Sequence, residues 1–181
     1  MPLSNEERTQ RERELNEILP NVEGYKLVYN FFQPPTKIEQ PKEVNVVHYA
    51  SLKTALHYAA ELGELNRVKN LLNNGADINI KVGMQQRNTA LLLALMYGNF
   101  NIARYLIEQG ADINISNNED VTPLHIAMMA GNFDMVKLLI DKGANLHQYD
   151  FLYHYTPIAA GIIAQQNECV EYALLHVNDI T

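Results

Sequence analysis

Thr54-Ala55-Leu56-His57 returns three times along the chain, as Thr89-Ala90-Leu91-Leu92, Thr122-Pro123-Leu124-His125 and Thr156-Pro157-Ile158-Ala159, at intervals of 35, 33 and 34 residues. A period in that range marks stacked supersecondary units rather than one continuous globular core. The repetition runs beyond the motif. Nine positions after the threonine stand Gly63, Gly98 and Gly131, and twenty-one positions after it stand Gly75, Gly110 and Gly143. The later glycines open matching phrases, Gly75-Ala76-Asp77-Ile78-Asn79, Gly110-Ala111-Asp112-Ile113-Asn114 and Gly143-Ala144-Asn145-Leu146-His147. Each unit thus carries two glycines where a short helix must end and the chain reverse, a task for which glycine reaches the left-handed region without steric cost.

Each motif threonine precedes an apolar stretch and can cap the free amides of a helix, with proline at the first helical position in two copies. First helices are expected over about Ala55–Leu62, Ala90–Tyr97, Pro123–Ala130 and Pro157–Ala164. Second helices are expected over about Leu65–Asn73, Phe100–Glu108, Phe133–Asp141 and Asn167–Leu175, with Asn99 and Asn132 as caps. Val68, Leu71 and Leu72 fall at helical spacing, as do Ala103, Leu106 and Ile107, and Val136, Leu139 and Ile140. These are core positions. A pair of short helices cannot bury its apolar side alone, so about three or more units are required.

The recurring threonine, leucine, glycines and closing Gly-Ala-Asp-Ile-Asn resemble ankyrin repeats over about Val44 to Ile180. The resemblance implies an all-α solenoid of about four helix-turn-helix repeats, joined by β-hairpin-like turns. It implies that Thr54, His57, Thr89, Thr122, His125 and Thr156 are structural, the histidine being a buried strut that hydrogen-bonds neighbouring backbone. Leu92 and Ala159 replace that histidine in two copies. Two residues before the threonine the family usually has glycine; here Leu52, Arg87, Asp120 and His154 stand there, leaving the turn geometry open.

Ankyrin-like proteins grip partners with their turn tips and the inner face of each first helix, especially seven and eight positions after the threonine. Those positions hold Glu61 and Leu62, Met96 and Tyr97, Met129 and Ala130, and Ile163 and Ala164. Met96, Tyr97, Met129 and Ile163 therefore form an expected apolar strip, and methionines suit adaptable contacts. The turn before the fourth repeat, Tyr149-Asp150-Phe151-Leu152-Tyr153-His154-Tyr155, adds Tyr153 and Tyr155 as candidate anchors. The alternative is that the strip packs inward or is covered by the N-terminal segment, and that the rings only prop up a longer loop.

The remaining composition excludes more than it assigns. A chain of 181 residues, 47% hydrophobic and 19% charged, can build one sizeable domain. Its net charge of −7, with lysine and arginine scattered, disfavours nucleic-acid binding. Cys169, the single cysteine, rules out an internal disulfide and has no basic neighbour to activate it. No long apolar run suits a membrane span, and the charged N-terminus is unlike a signal segment. The expectation is a cytoplasmic monomer binding a protein partner; export to act inside a host cell is left open.

No metal-ligand spacing joins His48, His147, His154 and His176, and no glycine-rich phosphate loop occurs. Asp77 and Asp112 occupy the same turn position in successive repeats, where aspartate serves the turn itself. Neither catalysis nor a cofactor or metal is expected. Residues 42–181 form the repeat domain, in which a degenerate half-repeat begins near Lys42. Residues 1–41 form an extension, with a charged helix over Asn5–Leu19 and an aromatic stretch from Tyr25 to Phe32. The extension is expected to cap the first repeat, or alternatively to act as a docking or self-associating arm, which would make the array a structural or targeting element, or else to be disordered. The fourth unit, with Gln165 in place of glycine and Gln166, Asn167, Glu168 and Glu171 in its second helix, is expected to be a C-terminal cap facing water.

Overall fold

The computed structural model describes residues 45–47, 53–83 and 87–177, all within the unit Ile38–Thr181. The extension at 1–41, with its expected helix and aromatic arm, lies outside the described residues, as do Leu52 and His48. Among the described residues there are eight helices: α1 (Ala55–Glu61), α2 (Leu65–Asn73), α3 (Ala90–Met96), α4 (Phe100–Glu108), α5 (Pro123–Ala130), α6 (Phe133–Asp141), α7 (Pro157–Ile163) and α8 (Asn167–His176). They form four helix pairs, and no strand separates them beyond one antiparallel bridge between Val82 and Asn88. This is the expected all-α repeat fold.

Burial follows the repeat register. The second helices seal Val68 and Leu71, then Ile102, Ala103, Leu106 and Ile107, then Met135, Val136, Leu139 and Ile140. The first helices are rich in small residues at their closest approach, where Ala59, Ala94 and Ala127 are wholly covered. In α7 the corresponding residue is Gly161, and an added Cβ would lie 2.6 Å from Cε of Met128. Leu56, Leu91 and Leu124 join these residues in one core running through the stack. Each such leucine contributes roughly 1.5–3 kcal/mol by burial.

The caps depart from the expectation in two places. Thr89, Thr122 and Thr156 accept hydrogen bonds from the backbone N–H of Leu92, His125 and Ala159, at 3.2, 3.4 and 3.2 Å. Thr54 makes no such cap; its hydroxyl is 2.7 Å from Nδ1 of His57 instead. Asn132 caps α6 through Met135, but Asn99 does not cap α4. The Asn99 amide reaches into the previous repeat and donates to the carbonyls of Ala60 (2.8 Å) and Glu61 (2.9 Å). Gly63, at φ 78°, makes room for this bridge, since a Cβ there would sit 3.0 Å from Asn99 Oδ1. The side chain is needed more between repeats than at its own helix.

Successive repeats are also tied along the turn edge. The N–H of Asp77 donates to Asn45 Oδ1 (2.7 Å), that of Asp112 to Asn79 Oδ1 (2.9 Å) and that of Asn145 to Asn114 Oδ1 (2.9 Å). Asn45 thereby does what the closing asparagine of a full repeat does. Asp77 and Asp112 accept from the N–H of Asn79 and Asn114 two residues on, so each folds its own turn.

The hairpin-like turns resolve the missing family glycine. Arg87, Asp120 and His154 all take positive φ, at 50°, 55° and 54°. The geometry is left-handed without glycine, and the side chains carry the strain, of order 1–3 kcal/mol for a residue other than glycine. Gln165, in place of the helix-ending glycine, is likewise left-handed at φ 59°. Arg87 and His154 are exposed. Replacing either with glycine is expected to stabilise the fold by about 1 kcal/mol. Urea unfolding of Arg87→Gly and His154→Gly, beside the matching alanine variants, tests this; equal midpoints for glycine and alanine would show that the backbone is unstrained.

Candidate functional site

The two motif histidines are held in one tautomer by their surroundings. Nε2 of His57 faces the carbonyls of Ile80 (3.1 Å) and Asn88 (3.2 Å), which can only accept, so Nε2 carries the proton. Nδ1 then accepts from the Thr54 hydroxyl. In His125, Nε2 donates to the Tyr155 carbonyl at 3.0 Å, while Nδ1 accepts from the Thr122 N–H (3.2 Å) and faces its hydroxyl (2.8 Å). Each histidine thus clamps the turn that precedes the next repeat. The cost of charging a buried ring, outweighing the help of the two carbonyls, pushes His57 down to about 4; burial lowers His125 also, against opposing help from the Tyr155 carbonyl and Asp150.

Where Leu92 replaces histidine, an asparagine holds the next turn. The Asn117 side chain accepts from the N–H of Glu119 (2.9 Å) and Val121 (3.1 Å), and its amide donates to Asn88 Oδ1 (3.2 Å). Asp150 does the same for the fourth turn: one carboxylate oxygen accepts from the Tyr153 N–H (2.8 Å), the other from the Tyr155 N–H (3.0 Å). The Phe151 N–H ties this turn to the Glu119 carbonyl of its neighbour at 2.8 Å. The rings of Tyr153 and Tyr155 are then stacked, with centroids 5.5 Å apart and planes 16° from parallel.

A groove of about 890 Å³ runs between these turns and the first helices of repeats two to four. Met96, Met129 and Ile163 line its helical wall, and Leu152, Tyr153 and Tyr155 its turn wall. Ile126 and Val121 also contribute, while Asp150 and Glu119 are its acidic lining residues; among the described residues no lysine or arginine lines it. The expected strip does not pack inward: its residues are exposed by between 46% (Met96) and 59% (Met129), and the N-terminal segment, its other expected cover, lies outside the described residues. Tyr97 is exposed as well but stands apart from this groove, its hydroxyl hydrogen-bonded to Glu61. Burial raises the Glu61 carboxyl, yet its hydrogen bonds to Lys53 and Tyr97 bring it below the ordinary range. The line of four is thus three residues in the groove and one engaged with the first repeat.

Sequence reading of the aromatic turn dwelt on its rings and passed over Asp150, the residue that shapes it. The available signal was an aspartate opening a long turn before the motif threonine, where an Asx side chain folds backbone onto itself. No group of three or more His, Cys, Asp or Glu among the described residues is placed to hold a metal ion, and no described helix is long and apolar enough to cross a membrane. Cys169 is buried, and burial, aided by Glu168, pushes its thiol up.

The family model described as "Ankyrin repeats (3 copies)" matches residues 27–117, 56–150 and 114–181. A search of curated proteins finds no match to the chain.

The histidine geometry makes stability depend on pH in a definite direction. An unfolded His57 takes up its proton near pH 6.5, the folded one only near 4. Its contribution is intact above pH 6.5 and is lost as pH falls from there to about 4, by roughly 1.5 kcal/mol between pH 6.5 and 5. His57→Leu, which imitates Leu92, is expected to flatten that part of the profile while lowering stability at pH 7. Chemical denaturation at both pH values measures this, and parallel profiles for the two proteins would contradict it.

Proposed function

This chain belongs to the ankyrin-repeat family, and from that premise we propose that it is a non-catalytic interaction module of adaptor, inhibitor or effector type. It takes apolar side chains of a partner protein into the groove formed by repeats two to four. Ankyrin repeats generally mediate protein–protein interaction and are typically non-catalytic. The observation that carries the reading for this chain is the run of Met96, Met129 and Ile163, exposed on one wall and faced by the stacked Tyr153 and Tyr155. A solvated concave surface has no need of large apolar groups at those positions, and contiguous exposed apolar surface marks contact sites. The walls have complementary properties. Methionine side chains adapt to a partner's shape, while the tyrosine pair is held rigid by Asp150 and His125 and offers large rings at low entropic cost.

The partner is a protein rather than a nucleic acid, a reading supported by the net charge of −7 and a groove without lysine or arginine among the described residues. A reducing compartment, the cytoplasm, is supported by the buried, unpaired Cys169.

The test compares full-length variants in partner capture. Met129→Glu and Tyr153→Ala are each expected to reduce recovery of the protein captured by wild type at least tenfold, about 1.4 kcal/mol or more. Their helical signal and thermal midpoint should stay near wild type, because both side chains are exposed. Leu175→Glu, exposed on α8 away from the groove, serves as control. Undiminished capture by both groove variants would sink the assignment.

A further inference from the structure

Charge is sorted between the two sides of repeats two to four. From Asn88 to Gln166 the lysines and arginines are Arg104, Lys137 and Lys142, which lie on α4, on α6 and at the end of α6. The turns and first helices of the same stretch carry Asp112, Glu119, Asp120 and Asp150 and neither lysine nor arginine. Among the described residues, none from α4, α6 or α8 lines the groove. Lys81 and Arg87, in the turn before the second repeat, do not line it either. The groove therefore opens on the acidic side of these repeats.

Asp150 is the centre of this asymmetry. It is only 7% exposed and lines the groove, and its carboxylate accepts from the backbone N–H groups of Tyr153 and Tyr155. Among the described residues no lysine or arginine pairs with it; the ion pairs there join Lys53 to Glu61 and Arg67 to Glu64. The imidazole of His125, which also lines the groove, is kept neutral at pH 7 because burial lowers it. Two N–H groups satisfy the oxygens of Asp150 but leave its charge unbalanced. Glu119 adds a second carboxylate to the same wall, and the bond from the Phe151 N–H to its carbonyl, 2.8 Å, fastens the two turns together. A purely apolar partner closing the groove would strip water from both carboxylates and supply no opposite charge, which is costly.

We infer, taking the groove as the partner's site, that the segment it accepts is cationic as well as apolar and sets an arginine side chain against the wall formed by Asp150, Glu119, Tyr153 and Tyr155. Arginine fits this wall better than lysine. Its planar guanidinium offers paired N–H groups to a carboxylate, lies flat on an aromatic face and is more weakly hydrated than an ammonium group. Its aliphatic stem and the apolar residues beside it pack along Met96, Met129 and Ile163. The same charges set specificity, since an acidic segment of equal apolar character is repelled, while a basic one is drawn towards a chain of net charge −7. Asp150 then has two tasks: it folds the fourth turn and meets the partner's cation.

Fluorescence anisotropy of the full chain with short labelled peptides tests this. One peptide is built of leucine and arginine, and its counterparts carry glutamine or glutamate at every arginine position. The arginine peptide should bind at least tenfold more tightly than the glutamine peptide, and the glutamate peptide most weakly. Glu119→Gln and Asp150→Asn should each reduce the preference for arginine while leaving affinity for the glutamine peptide unchanged. Asp150→Asn turns an N–H acceptor into a donor and can loosen the turn, so Glu119→Gln, which leaves Asp150 in place, is the decisive variant. Asp134→Asn, which removes an exposed carboxylate on α6, should change neither affinity. Met129→Gln should weaken the arginine and glutamine peptides by the same factor. A preference that survives in Glu119→Gln, or falls equally in Asp134→Asn, overturns the inference, because the cation is then held elsewhere or by the acidic chain as a whole. Equal affinity for the arginine and glutamine peptides, lost for both in Met129→Gln, overturns it and leaves the groove assignment standing. Binding indifferent to Met129→Gln overturns the groove assignment and this inference with it.

Discussion

Burial between neighbouring repeats is the constraint on which everything else rests. A helix of seven to ten residues is marginal in isolation, because nucleation costs several fixed dihedral angles for one hydrogen bond. Pairing two such helices leaves one side of the pair apolar and open. The chain solves this by repetition: Met128 is covered because Gly161 follows it in the next unit, and Ala60 because α3 follows α1. Stability is therefore local and additive, and a weakness at one junction does not propagate as it would in a single core.

The polar groups between repeats follow from the same constraint. Stacking buries the turn carbonyls and amides that join one unit to the next, and each must find a partner. Neutral imidazole answers this at His57 and His125, Asn117 where Leu92 leaves the place unfilled, and Asp150 in the fourth turn. Asn99 gives up its place as a helix cap to reach two carbonyls of the preceding repeat. The motif threonine and histidine thus do more than start helices. Through the Tyr155 carbonyl, His125 fixes the turn whose rings face the groove.

Sequence made the periodic part of this molecule legible because periodicity is itself physical. Stacking equivalent units demands equivalent residues, so helix positions came within a residue of the expected bounds, as with α1 ending at Glu61 rather than Leu62. What stayed hidden depends on contacts between distant residues. Nothing local distinguishes Asn99, bridging to Ala60, from Asn132, capping its own helix. The left-handed turns at Arg87, Asp120 and His154 were unreadable because glycine, the residue that announces them, is missing. For the groove, counting from the threonine placed Met96, Met129 and Ile163 together, but it could not show that Tyr97 would be drawn to Glu61.

The fourth repeat concentrates these departures. A unit inside the stack is constrained on two sides, so substitutions there disturb two interfaces at once. No described repeat follows the fourth unit. The fourth unit carries alanine for the strut histidine, glutamine for the helix-ending glycine and a longer aromatic turn. Exposed isoleucine and leucine there carry an unfavourable contact with water. Tyr153 and Tyr155 in its turn and Ile162 and Leu174 in its helices are all exposed. Two apolar surfaces of separate orientation therefore meet in one repeat, one concave and lined by flexible and aromatic side chains, the other aliphatic.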